Sequence, residues 1–285
     1  MVQTGDTALQ GTNTAMAVKG YSNKLFKLGQ ILAKAGSSDF TEKYFREDAA
    51  SLTAAGNRDN SNVAKGANFP QVYPNWTEVS GTNRKFGNDG IVYIEDELMA
   101  SIRVQKRTIF KVAQAIADAK DLYIYTQLTA ATGTSGVVAA ADAWNSATVA
   151  NRDSIGDLVI GQAAISANNY DPRVNTYLLL SPKDYGSLQR DDRVIKNPSF
   201  KTADVVSNGV VGQVLNMKII VSTSVTADEA MIVVGNVAAT WQSVKALTTK
   251  TKEDEGISVT VRSWEIGHIQ ITDPQGLYTV TGTQV

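Results

Sequence analysis

Residues 169–189, NYDPRVNTYLLLSPKDYGSLQ, decide the fold. Asp171-Pro172 is a turn signal, because the proline ring biases the residue before it away from helix. The β-rich, largely apolar run Val174 to Leu180 then reads as a buried strand. Ser181-Pro182 closes it, with Pro182 suited to the first position of a helix that continues through Asp184 to Gln189. Upstream, Asp153 or Ser154 caps a helix predicted over Ile155 to Asn168. Downstream, VVGQVLNMKIIVSTSV (residues 210–225) gives a strand at Gln213 to Val221, and a second follows at Glu229 to Val234, with Thr223 to Asp228 between them. Arg190 to Asn208 is charged and turn-rich, so it is expected to be an exposed loop. Val244 to Thr251 and Ile257 to Val280 alternate as a terminal set of antiparallel strands. Strands and helices are partly segregated, which gives an α+β class.

The strongest helical signal lies earlier, over Glu95 to about Ala131. Leu98, Ile102, Ile109, Val112, Ile116 and Tyr123 recur at helical intervals, and Glu95, Asp96 and Glu97 place acid in the first turn. A run of roughly 35 residues would span on the order of 50 Å, with a kink expected near Val104 to Lys106. Before this spine, Ser61 to Asn88 is rich in Gly, Asn, Pro and β-formers. Val79 to Asn83 reads as the turn of a long hairpin, and Pro70 and Pro74 exclude a central strand. Gly87 to Gly90 is a second turn. Residues 1–60 form a polar arm with an amphipathic helix predicted over Tyr21 to Ala35, followed by an aromatic patch at Phe40, Tyr44 and Phe45 expected to dock on another surface. Gly133 to Ala150 is a low-complexity connector.

At 285 residues and 43% hydrophobic content, the chain can bury one or two cores. Its 27 basic and 28 acidic residues lack the excess of a dedicated nucleic-acid binder. Without cysteine, disulfides, thiolate zinc sites and cysteine nucleophiles are excluded. No signal-peptide pattern and no apolar run of membrane-spanning length is present, so no membrane partner is expected.

Candidate chemistry is sparse. His268 is the single histidine, within the alternating segment WEIGHIQI, and no Gly-x-Ser-x-Gly elbow accompanies it. It reads as a structural strand residue. Glu95 to Glu97 and Glu253 to Glu255 read as a helix start and a solvated turn rather than a cation site. Gly133-Thr134-Ser135-Gly136 follows a helix and lacks the phosphate-loop lysine. No catalytic, cofactor or metal residues are assigned. The aromatic residues Phe69, Tyr73, Trp76 and Phe86 are more informative, because a hairpin that cannot bury them itself presents them as interface anchors.

In order, Asp171-Pro172, Ser181-Pro182, Gly212-x-x-Leu215 with Ile219-Ile220-Val221, and Asp273-Pro274 resemble the major capsid proteins of tailed phages with the Hong Kong 97 fold. The resemblance implies an N-terminal arm (1–60), an extended hairpin or E-loop (61–90), a P-domain with spine helix and terminal strands (91–150 and 245–285) and an α/β A-domain (151–244). It implies a structural protein without enzymatic activity, made in the host cytoplasm and built into a virion shell. The partners implied are further copies of the chain in pentamers and hexamers, double-stranded DNA held non-specifically, a separate scaffolding protein, a portal and a decoration protein. The scaffold is expected to be separate because a scaffolding domain has no room before the arm. Hairpin contacts to a neighbour fall on Lys65, Phe69, Tyr73, Trp76, Arg84, Lys85 and Phe86, and the axial loop on Arg190, Asp191, Asp192 and Arg193. Lys65 and Lys85 invite comparison with the family's lysine-asparagine crosslink; on an exposed edge, lysine is expected to serve solubility instead. An encapsulin-like nanocompartment shell is the alternative, and a hydrolase or transferase with an unrecognised site a more distant one.

Overall fold

The computed structural model describes residues 14, 16–20, 27–37, 41–47, 63–69, 76–99, 104–132, 137–191 and 210–285. Its spine is α2 (Val104–Thr132), 29 residues and about 44 Å long. Ile109, Val112, Ala113, Ile116, Ala117, Ile124, Tyr125 and Leu128 are buried along it, at the spacing that puts them on one face. The helical signal begins earlier, and its first described stretch is α1 (Ile94–Met99); residues 100–103 lie outside the described set.

Two sheets meet across the spine. One has the order β1 (Ala33–Gly36), β10 (Ala239–Asp254), β11 (Ser258–Ile271), β4 (Arg84–Tyr93). A Cβ on Gly90 of β4 would lie 2.6 Å from side-chain methyls of both Thr108 and Val112, so glycine lets strand and helix approach closely. The other sheet orders β5 (Val137–Ala139), β12 (Leu277–Thr281), β9 (Glu229–Val234), β6 (Thr176–Leu180), β8 (Met217–Val221), β7 (Val210–Val214). Central strand β6 is buried on both faces: Tyr177 and Leu179 pack with the spine's Ile124 and Leu128, and Leu178 and Leu180 with Leu158 and Ile165 of α3 (Ser154–Ala167). That two-sided burial explains its unbroken apolar sequence.

The punctuating residues do local work. Asp153 caps α3 by accepting from the Gly156 N–H at 3.0 Å. Ser181 caps α4 (Pro182–Leu188), with Pro182 at its start. Asp184, fully buried, accepts from Ser181 Oγ at 2.5 Å, Thr283 Oγ1 at 2.6 Å and Gln284 Nε2 at 2.7 Å, so it fixes the C-terminal segment. Asp273 caps the turn at Pro274–Gly276 and accepts the Tyr170 hydroxyl.

Several expectations are corrected. Of the helix expected over Tyr21 to Ala35, residues 21–26 lie outside the described set; the remainder is a 3-10 turn at Leu28–Gln30 followed by β1. Leu28, Ile31 and Leu32 are buried because they enter the main core. The Gly133 to Ala150 connector is partly structural: β5 pairs with β12, and the buried Trp144 donates its indole N–H to Asp157 at 2.9 Å. Gln213 to Val221 is a hairpin, β7–β8, turning at Leu215 and Asn216 with φ of 51° and 64°. The hairpin turn expected at Val79 to Asn83 is also absent. β3 (Trp76–Thr82) pairs with β2 (Thr41–Glu47), and after Asn83 the chain passes into β4, which pairs with β11.

The arm is tied to the spine by a carboxylate. Asp121 of α2 accepts from the backbone N–H groups of Lys27 and Leu28 at 3.2 and 3.0 Å. Burial raises its pKa to about 6, opposed by those two bonds. Because the folded value exceeds the unfolded one, the carboxyl contributes stability that is full below about pH 4 and lost as pH rises through about 6. Asp121→Asn should remove that component, so the stability difference between variant and wild type should change by about 2–3 kcal/mol between pH 4 and 7 in urea unfolding. Parallel pH profiles for the two proteins would contradict this.

Candidate assembly surface

The β2–β3 ribbon has two unlike faces. In its register Tyr44 opposes Val79 and Glu42 opposes Gly81, placing these four on the side that meets the body. Phe45 opposes Glu78 and Glu47 opposes Trp76, so Phe45 and Trp76 are diagonal neighbours on the other side. There they are 62% and 60% exposed, far more than two large aromatics need be if a core were available. Lys43 and Glu78 form an ion pair at 2.5 Å on the same outer face, with both side chains well exposed. Such a pair contributes little to subunit stability. The outer face therefore holds an exposed aromatic pair beside opposed charges.

The expected hairpin contacts separate into two groups. Trp76 is on the ribbon; Lys65 and Phe69, the latter 82% exposed, lie on the segment between β2 and β3, and Tyr73 lies outside the described residues. Arg84, Lys85 and Phe86 belong instead to β4 in the body. Phe86 packs against Tyr123 and Trp241 at 5.5 and 6.1 Å between ring centroids, and the Arg84 guanidinium sits 4.7 Å from the Tyr123 ring centre. Lys85 and Lys245 lie 5.8 and 5.5 Å from the Trp264 ring centre. Strand pairing determines this division: alternation places Phe86 towards the spine, a direction visible only once β4 is known to pair with β11. The outward role of Phe45 depends likewise on its pairing with β3, although its aromatic character is visible in the sequence.

In the candidate axial loop, Arg190 is exposed, whereas Asp191 is buried and accepts the Ser154 hydroxyl at 2.5 Å. Asp191 thus ties α4 to α3. Asp192 and Arg193 lie outside the described residues. Among the arm lysines, Lys27 Nζ donates to the Val221 carbonyl at 2.9 Å, so that charge is used internally.

Glu95 and Asp96 are exposed at the start of α1, and Glu253, Asp254 and Glu255 are exposed where β10 turns into β11. An open cleft beside α3 is a mixed surface whose lining includes Val159, Gln162, Ser166, Tyr170, Asp171 and Arg173. Leu98 and Met99 of α1 are also largely exposed, so the ribbon is one among several surfaces that present large apolar side chains to solvent.

The family described as "Phage capsid protein" matches residues 89–280. No curated protein matches the sequence. Among solved structures, the capsid of cyanophage P-SCSP1u is similar with a TM-score of 0.67 at 12% identity, over 92% of this chain and 89% of that one. The virus-like particle from Pyrococcus furiosus gives 0.63 at 12% identity, over 94% and 98%. The SrpI encapsulin of Synechococcus elongatus PCC 7942 gives 0.59 at 8% identity, over 90% and 87%.

Proposed function

Because this chain belongs to the phage capsid protein family, we propose that it is the repeating subunit of a closed icosahedral shell, in which the β2–β3 ribbon of each copy clamps a neighbour. It is a major capsid protein of the Hong Kong 97-like fold, a structural protein of the virion. The observation that carries the clamp is the exposed Phe45 and Trp76 pair on a two-stranded ribbon, since such a ribbon has too little apolar surface of its own to bury them. In this reading the P-domain comprises residues 91–150 and 245–285, and the A-domain residues 151–244. The E-loop is drawn from residue 41 onward, because β2 supplies one of its strands.

The shell would enclose double-stranded DNA, contacted through its phosphates without base preference, and a separate scaffolding protein, a portal and a decoration protein would complete the particle. Near-neutral overall charge favours loose, strongly salt-dependent contact. The likeness to an encapsulin supports a second reading, a shell around protein cargo. Purified protein, supplied with a scaffold if needed, should form closed particles in negative-stain micrographs. A strictly monomeric species at high concentration would refute the shell. Particles containing a defined enzyme and no nucleic acid would favour the nanocompartment.

A further inference from the structure

We infer that His268 is an acid-sensitive catch at the base of the ribbon: the neutral imidazole lets β2–β3 seat on the body, and its protonation releases them. His268 is fully buried although it lies on β11 in alternation with Trp264 and Arg262, on the sheet face turned away from the spine. The ribbon supplies that cover. A Cβ on Gly81 would come within 2.4 Å of His268 Nε2 and 2.6 Å of its Cδ2, so the backbone of β3 sits directly on the ring.

One hydrogen bond holds the neutral ring, and its other nitrogen is left dry. Nδ1 lies 2.8 Å from Asn83 Oδ1, an acceptor, which assigns the proton to Nδ1 and leaves Nε2 as a lone pair. That nitrogen is buried without a hydrogen-bond partner, as are Glu42 Oε2 and Gln242 Oε1. Glu42 opposes Gly81 across the ribbon, and Gln242 opposes His268 across β10 and β11. A second proton would turn Nε2 into a charged donor, sealed from water by Gly81. Glu42 from β2 is the charged group coupled to it. Asn83 at the strand junction, Gln242 from β10 and Gln270 from β11 are neutral.

Burial holds the His268 pKa below its ordinary value, and Glu42 only partly offsets this. The seated state therefore binds a proton more weakly than a freed imidazole does. Its stabilisation is complete above the ordinary histidine value of about 6.5 and is lost as pH falls below it. Asn83 lies where the chain leaves the ribbon for β4, so release there would re-aim the outer face that carries Phe45 and Trp76.

The test uses the unassembled full-length subunit, so it does not depend on shell formation. As the chain has one histidine, a single imidazole resonance reports its titration without assignment. Backbone hydrogen exchange of residues 41–47 and 76–82, corrected for intrinsic rates, is followed from pH 7.5 to 5. Protection there should fall several-fold as the pH drops, while β6 and β9 stay protected. The imidazole should titrate over the same range. His268→Gln should flatten the response, and Glu42→Gln should enlarge it by removing the offset. Ribbon protection independent of pH in the wild type would overturn the catch, as would an unchanged response in His268→Gln. Should His268→Gln fail to fold, separate midpoints for imidazole titration and ribbon opening in the wild type would overturn it equally.

Discussion

Lys120→Met should lower subunit stability by about 3–5 kcal/mol, because it leaves a carboxylate buried without its counter-charge. Lys120 Nζ lies 2.9 Å from both oxygens of Glu265, and both side chains are more than nine-tenths buried between the spine and β11. The ammonium also sits 5.1 Å from the Trp241 ring centre. Burying the pair is itself expensive, so the large cost belongs to breaking it rather than to its net contribution. Lys120→Met combined with Glu265→Leu should accordingly recover most of the loss. Urea unfolding of the wild type, both single variants and the double variant completes the cycle. A Lys120→Met subunit within about 1 kcal/mol of wild type would show that the pair is not isolated from water.

Trp76→Ala combined with Phe45→Ala should leave the subunit's thermal unfolding nearly unchanged and sharply reduce shell yield. Both rings are mostly exposed in the subunit, so truncation removes little of its core. Loss of a buried aromatic anchor at an interface costs about 2 kcal/mol or more, and a shell repeats that loss at every copy. Trp76→Ala alone should act in the same direction. Thermal unfolding of unassembled subunits would be compared with particle yield by sedimentation. Normal shells of normal stability would remove the ribbon from the assembly surface. A variant subunit that failed to fold would show that the aromatics belong to the subunit core instead.

The parts of the fold legible in the sequence are those set by local chemistry. Asp153 as a cap, Pro182 at a helix start and the apolar run of β6 act within a few residues of themselves, so composition and spacing reveal them. The spine was legible because its buried positions repeat at helical spacing over many turns. The arm misled for a related reason. Leu28, Ile31 and Leu32 have helical spacing, but their burial comes from docking on Ile124 and Leu128 of the spine, and a 3-10 turn followed by a strand presents them equally well.

The candidate surface was half legible. Trp76 stands out as a large aromatic in a polar, proline-bearing stretch, which composition can flag. Whether a neighbouring aromatic anchors an interface or fills a core depends on which strand it pairs with. Phe86 fills the core because β4 joins β11, and Phe45 faces outward because β2 joins β3, pairings between residues far apart in the chain.

By itself, therefore, the sequence determined the spine, strand β6, helices α3 and α4 with their caps, and that the chain resembles a shell protein. The tertiary structure alone decided which strands pair, which face each presents, and that His268 is sealed beneath Gly81. Local propensity acts over a few residues along the chain, whereas strand partner and register are selected by packing between distant segments, where a one-residue slip exchanges core for surface.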